Sequence, residues 1–161
     1  MIIRKTRPDE LDLLMKMYEH ARLFMAGHGN PAQWGQSYPK QTLIADDINS
    51  GCSYVCEEHS QIIATFYYKE GPDDTYRRIY SGDWLNQRPY GVVHRITSNG
   101  TVKGAASFCL NWAFDQCGNL KIDTHKDNRI MQHLLDKNGF TYCGIIYTDD
   151  GSERMAYQKA E

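Results

Sequence analysis

Residues Asn99 to Ser107, NGTVKGAAS, place two glycines, a lysine and three small residues between an apolar stretch and an apolar helical pattern. Small residues at a strand-to-helix turn let backbone N–H groups approach an anion closely, and phosphate is the usual guest. The spacing is not that of GxxxxGK[ST], because Lys103 precedes Gly104. Nor is it GxGxxG, since Gly100 and Gly104 have no third glycine at the right offset. What remains is a tight turn followed by the helix N-terminal amides behind Gly104, Ala105 and Ala106. Their partial positive charge suits a pyrophosphate, although a plain glycine-rich turn has the same composition.

Other stretches also hold groups able to do chemistry. In DTHKDN, continued strand alternation would bring Asp123, His125 and Asp127 to one face, where two carboxylates and an imidazole could hold a metal. The competing reading is a solvent-facing strand end, with His125 ordering a turn, and no metal is expected there. NPAQWGQSYP sets Trp34 and Tyr38 in a polar loop, and SGDWLNQ sets Asp83 beside Trp84. Aromatics in such loops act either as a lid or as packing plugs, and Asp83 with an aromatic face would suit a cationic amine.

These residues need elements to position them. Leu11, Leu14, Tyr18 and Ala21, with Leu13 and Met17, form one apolar face of a helix that starts near Thr6, Pro8 and Asp9. A second helix is predicted over 40–49, a hairpin over 53–57 and 62–68, and a weaker strand over 76–80. Val92, Val93 and Ile96 make 91–97 a strand. Then follow a helix over 105–116, a strand over 120–124, a helix over 129–138, and two strands over 142–148 and 154–158. Antiparallel strands followed by a strand–helix–strand crossover define a mixed α/β sheet with one parallel junction.

Composition limits the functional class. The 161 residues are 41% hydrophobic and 24% charged, which fits a single globular domain over residues 1–161. A net charge of −2 gives no argument for a nucleic-acid or membrane surface, and neither partner is expected. The N-terminal MIIRKTRPDELD is charged almost at once, without a signal peptide's apolar run. The five cysteines show no CxxC pair, and a cytoplasmic protein with reduced thiols is expected.

The TVKGAA loop resembles the Q/R-x-x-G-x-G/A loop of the GNAT family of N-acetyltransferases, with Thr101, Gly104 and Ala106 at the matching places. THKDN and RIMQHLLDKNGF are similar to that family's later strand end and helix, with Asn128, Met131 and the terminal Gly139-Phe140 in register. The resemblance is clearest from Tyr90 to Tyr147, and the element order extends it over nearly the whole chain. It implies an acyl-CoA N-acyltransferase fold, an α/β architecture with a splayed mixed sheet flanked by about four helices. It also implies transfer of an acetyl group from acetyl-CoA to a primary amine, by direct attack and without a metal.

On that resemblance, main-chain groups of His94, Arg95 and Ile96 would pair with the pantetheine like an added strand. Thr101, Val102, Lys103, Gly104, Ala105 and Ala106 would hold the pyrophosphate, and Asn128 and Met131 would meet the pantetheine arm. His94 is the candidate base, being the one group on that strand that titrates near neutrality. Asp83, Glu19 and His28 are alternatives on the expected substrate side. Trp34, Tyr38, Asp83 and Trp84 are the candidate acceptor contacts. The resemblance also permits a homodimer.

The chain departs from the family pattern at two places. Thr101 replaces a long donor in the loop. Leu135 stands where a tyrosine would protonate the departing thiolate, with Tyr142 and Ser107 as substitutes. Leu135 keeps a non-catalytic acyl-CoA-binding module open as an alternative, and DTHKDN keeps open a metal-dependent hydrolase.

Overall fold

In the computed structural model, which describes residues 1–161, the chain opens on a strand that the hydropathy pattern does not announce, β1 (Ile2–Lys5). Four residues are too few to display a period. Antiparallel pairing to β2 (Ser53–Glu58) holds it in place, and Arg4 donates to Glu57 at 2.8 Å and to Glu10 at 2.7 Å. Thr6 is therefore not the helix cap. Its hydroxyl lies 2.7 Å from that of Ser53 in a buried contact. The capping box forms one residue later, where the Arg7 N–H donates to the Glu10 carboxylate at 2.7 Å.

A 3-10 turn over Pro8–Glu10 leads into α1 (Leu11–Gly27), which buries Leu14, Met17 and Tyr18 as its periodicity requires. After α2 (Gln41–Asn49), β2 and β3 (Gln61–Glu70) form the expected hairpin. The predicted strand over 76–80 is instead a 3-10 turn, Asp74–Tyr76, followed by a single bridge from Tyr80 to Ile145. β4 (Gly91–Ser98), α3 (Ala105–Cys117), β5 (Asn119–Thr124) and α4 (Arg129–Lys137) complete the crossover. β6 (Thr141–Tyr147) and β7 (Glu153–Ala160) close the chain.

The seven strands run in the order β1-β2-β3-β4-β5-β7-β6. Every neighbouring pair is antiparallel except β4–β5, which is parallel and spanned by α3. On one face α3 and α4 pack Cys109, Leu110, Ala113 and Leu135 over Val93, Ile96, Leu120 and Ile122. On the other, α1 and α2 cover Val55 with Leu14, Tyr18, Ile44 and Ile48, while the 71–90 segment lays Tyr76 over Val92, Ile146 and Ala156. All five cysteines are free thiols. No helix is long and apolar enough to cross a membrane.

One junction in this sheet is incomplete. β4 and β5 pair only at Gly91–Leu120 and Val92–Lys121, and beyond Val92 they part. The divergence coincides with a bulge in β4: Thr65 faces Thr97 but Tyr67 faces His94, so β4 carries an extra residue. Arg95 takes the strained left-handed conformation there, with φ +52°. A bulge bends its strand and strengthens the local twist, which opens the sheet beside it.

Candidate active site

The gap between the diverging strands is a cleft of about 640 Å³. β4 lines it with Val93 to Ile96, β5 with Ile122 to Thr124, and the loop after α1 closes it with Gln33, Trp34 and Tyr38. The β4 edge that faces β5 has no strand partner past Val92, leaving main-chain groups available to an extended ligand.

His94 lies in this cleft between two carboxylates. Its Nε2 is 2.8 Å from Asp73 Oδ2, and its Nδ1 is 4.0 Å from Asp123 Oδ2. Asp73 is fixed in turn by Thr75, whose N–H and hydroxyl donate to its Oδ1 at 3.0 and 2.6 Å. Burial opposes the Asp73 charge, but the donors from His94 and Thr75 outweigh it and hold the carboxyl at about 2. An ionised Asp73 accepts from Nε2–H, which assigns the lone pair of the neutral ring to Nδ1, facing Asp123. Asp123 accepts from the Tyr76 hydroxyl at 2.6 Å. Burial and the neighbouring Asp123 charge push that phenol well above its usual range, so it remains a donor.

Arg95 turns to the same side of the sheet and makes a different contact. Its guanidinium donates to Asp47 Oδ2 at 2.6 and 3.1 Å and to the Tyr38 hydroxyl at 3.1 Å. Trp34 packs edge-on to Tyr18 and lies against Tyr38, with centroids 5.8 and 5.9 Å apart. Trp34 and Tyr38 thus form an aromatic wall of the cleft.

Gln33 links the loop to the β5–β7 side of the cleft. Its Oε1 accepts from Asn30 Nδ2 and from Asn128 Nδ2, each at 2.9 Å, and its carbonyl accepts from Arg154 Nη2 at 3.0 Å. Asn128 also caps α4, accepting from the Met131 N–H at 3.1 Å. On the β5 side, the Thr124 hydroxyl is fully buried without a hydrogen-bond partner, and Thr124 lines the cleft.

The loop between β4 and α3 has the shape its composition predicts. Asn99 Oδ1 accepts from the Thr101 N–H at 3.1 Å and from its hydroxyl at 2.7 Å, so Thr101 shapes the turn. The amides of Val102 to Ala106 donate to no protein group. Gly104 has φ +83° at the helix N-cap, and a Cβ there would meet nothing. Its backbone conformation, not crowding, calls for glycine.

Several candidates lie elsewhere. Asp83 is exposed and does not line the cleft. Trp84 packs beneath the 3-10 turn, donating to the Tyr76 carbonyl at 3.0 Å with Lys121 Nζ 4.0 Å from its ring. Glu19 and His28 are exposed on α1 and just after it. The alternation expected through DTHKDN stops where β5 ends at Thr124. His125 Nδ1 accepts from the Asp127 N–H at 3.0 Å and orders the turn, while Asp123 points to Tyr76 and His94. The alternative three-residue metal face does not form, and no three metal-ligating side chains converge elsewhere. Leu135 is fully buried in the core under α4. The Ser107 hydroxyl is bonded to Asn138 at 3.0 Å, and Tyr142 packs on Tyr157, so neither lines the cleft.

An open mixed sheet splayed at one parallel junction, with two helices on each face, defines an acyl-CoA N-acyltransferase fold. No sequence-family model and no curated protein sequence matches the chain. Solved structures do. A GNAT-family acetyltransferase from Streptococcus agalactiae is 33% identical, with a TM-score of 0.90 over 99% of this chain and 95% of that one. A proposed acetyltransferase from Staphylococcus aureus is 25% identical, with a TM-score of 0.73 over 99% of both chains. A Salmonella typhimurium protein solved with its cofactor acetyl-CoA shares the fold at 14% identity, with a TM-score of 0.66 over 99% of this chain and 92% of that one. The chain belongs to the GNAT acetyltransferase family.

Proposed function

We propose that this protein transfers an acetyl group from acetyl-CoA to a primary amine by direct attack in a ternary complex. The observation that carries this reading is His94, held by Asp73 at 2.8 Å inside the cleft where β4 and β5 part. Three features fit the cosubstrate: an unpaired β4 edge, the free amides of Val102 to Ala106, and the partnerless Thr124 hydroxyl. Acetyl-CoA supplies an acyl group already activated as a thioester. Main-chain groups of His94 to Ile96 bind its pantetheine arm, Asn128 and Met131 border that arm, and the loop amides bind its pyrophosphate.

An alkyl amine is mostly protonated at pH 7 and must lose a proton before it can attack. The 4.0 Å between Nδ1 of His94 and Asp123 Oδ2 leaves an ammonium within reach of both. Asp123 holds the cation, Nδ1 takes the proton, and Asp73 stabilises the resulting imidazolium from the other side of the ring. A β4 amide at Arg95 or Ile96 polarises the acyl oxygen. Leu135 leaves protonation of the departing thiolate to water.

Leu135 also supports a second reading, an acyl-CoA-binding module without turnover. Incubation with acetyl-CoA and a panel of primary amines, following free thiol, separates the two. The enzyme reading expects thiol release that His94→Gln lowers by about 10²–10⁴-fold. Thermal stabilisation by CoA with no thiol release from any amine would establish the binding module instead.

A further inference from the structure

Arg154 is an unusual residue for this cleft. It is 9% exposed, yet its guanidinium bonds only to main-chain carbonyls, Glu153 O and Gln33 O, each at 3.0 Å. No carboxylate lies within 4.0 Å of it. A buried cation with no contacting counter-ion is costly, and carbonyl dipoles offset that cost less well than an anion does.

The strand register places its natural counter-ion nearby. Asp123 sits directly opposite Ala156, so Arg154, two residues earlier on β7, is its diagonal neighbour on the same face. Such neighbours have Cα atoms roughly 7–8 Å apart, within reach of an arginine. The pair nevertheless stays open: Asp123 turns to Tyr76 and His94, and Arg154 turns to Gln33. Asp150, at the rim, uses its Oδ1 for Thr148 and Ser152. The cleft thus presents a carboxylate and a guanidinium on one sheet face, held apart.

Resting on the acetyltransferase reading above, we propose that the acceptor is a zwitterionic amino acid. Its carboxylate pairs with Arg154, and its ammonium sits between Asp123 and His94 Nδ1. A free amine without a carboxylate would leave Arg154 unpaired, and a purely cationic acceptor would place a second positive charge beside it. The site therefore selects for the acid as well as the amine, because a buried group left without its partner penalises the analogue that lacks it.

The test compares each of the common L-amino acids with its carboxamide and its decarboxylated amine, measuring thiol release by the wild-type protein. At least one amino acid is expected to exceed its carboxamide by tenfold or more in kcat/KM, mainly through KM. Arg154→Gln should abolish that preference and Arg154→Lys should retain part of it. Because Arg154 also anchors Gln33, the wild-type comparison of acid with amide stands even if the variants fold poorly. Equal or better use of carboxamides and simple amines would overturn the zwitterion while leaving the acetyltransferase reading intact. CoA-induced thermal stabilisation with no thiol release from any amine would overturn both.

Discussion

His94 and Arg95 are consecutive residues of β4, yet both lie against the ring of Tyr67, at 5.5 Å between centroids and 4.8 Å from the guanidinium carbon. A regular strand would send them to opposite faces of the sheet. The bulge, with Arg95 at φ +52°, brings them to one side, so that one enters a carboxylate pair and the other ties the strand to α2. The same irregularity opens the cleft and fills its wall.

The Arg95–Asp47 pair is predicted to matter greatly when only one member is removed. Both side chains are 10% exposed or less. Asp47→Ala leaves a guanidinium buried and unpaired, and should cost about 3–5 kcal/mol in chemical denaturation. Replacing both residues with apolar ones of similar volume should recover most of that loss.

Asp73 gives the stability a definite pH dependence. Its carboxyl falls from the ordinary 3.8 to about 2 in the fold, so the ionised form is bound more tightly in the native state. That contribution is fully present above about pH 4 and is lost as pH falls towards 2, on the order of 2 kcal/mol. Denaturation curves between those pH values should be flatter for Asp73→Asn than for the wild type.

Thr124→Val separates a folding role from a ligand role. Removing a buried hydroxyl that has no partner should leave the melting temperature unchanged or raise it. If that hydroxyl meets the pantetheine, KM for acetyl-CoA rises in the same variant. A melting temperature lowered by several degrees with unchanged KM would refute this role.

Gly104→Ala adds a methyl into open space, so any effect must come from the backbone at φ +83°. The cost should be about 1–2 kcal/mol if the turn is kept. If the turn relaxes instead, the amides behind it swing away and acetyl-CoA binds more weakly. Calorimetric titration with CoA, alongside a melt, reads both quantities.

Much of this architecture was legible in the residues. The helices and central strands follow from apolar spacing, and the turn chemistry of NGTVKGAAS survives in Gly104 and the free amides. β1 escaped because IIRK derives its strand character from pairing to β2, a partner some fifty residues away. The same distance hid most of the site. His94 stood out as a titratable residue in an apolar strand, but Asp73 lies 21 residues away in sequence and only the fold brings it to the ring. Arg154 and Thr124 carried no local signal, because one is distinguished by the lack of a contacting counter-ion and the other by an absent partner. Trp34 and Trp84 looked alike in sequence, and only the chain path sends the first to the cleft and the second beneath the 3-10 turn.

The two-residue seam between β4 and β5 gives the molecule a mechanical character that a continuous sheet would lack. β1 to β4 form one plate and β5 to β7 another, stitched at Gly91–Leu120 and Val92–Lys121, while Gln33 of the loop after α1 is bonded to the second plate's side at Asn128 and Arg154. Anything that binds as an extra strand along the open part of the seam splints the two plates together. Occupancy of the cleft then governs the rigidity of the whole sheet, and amide exchange on both banks of the seam should slow together when it fills.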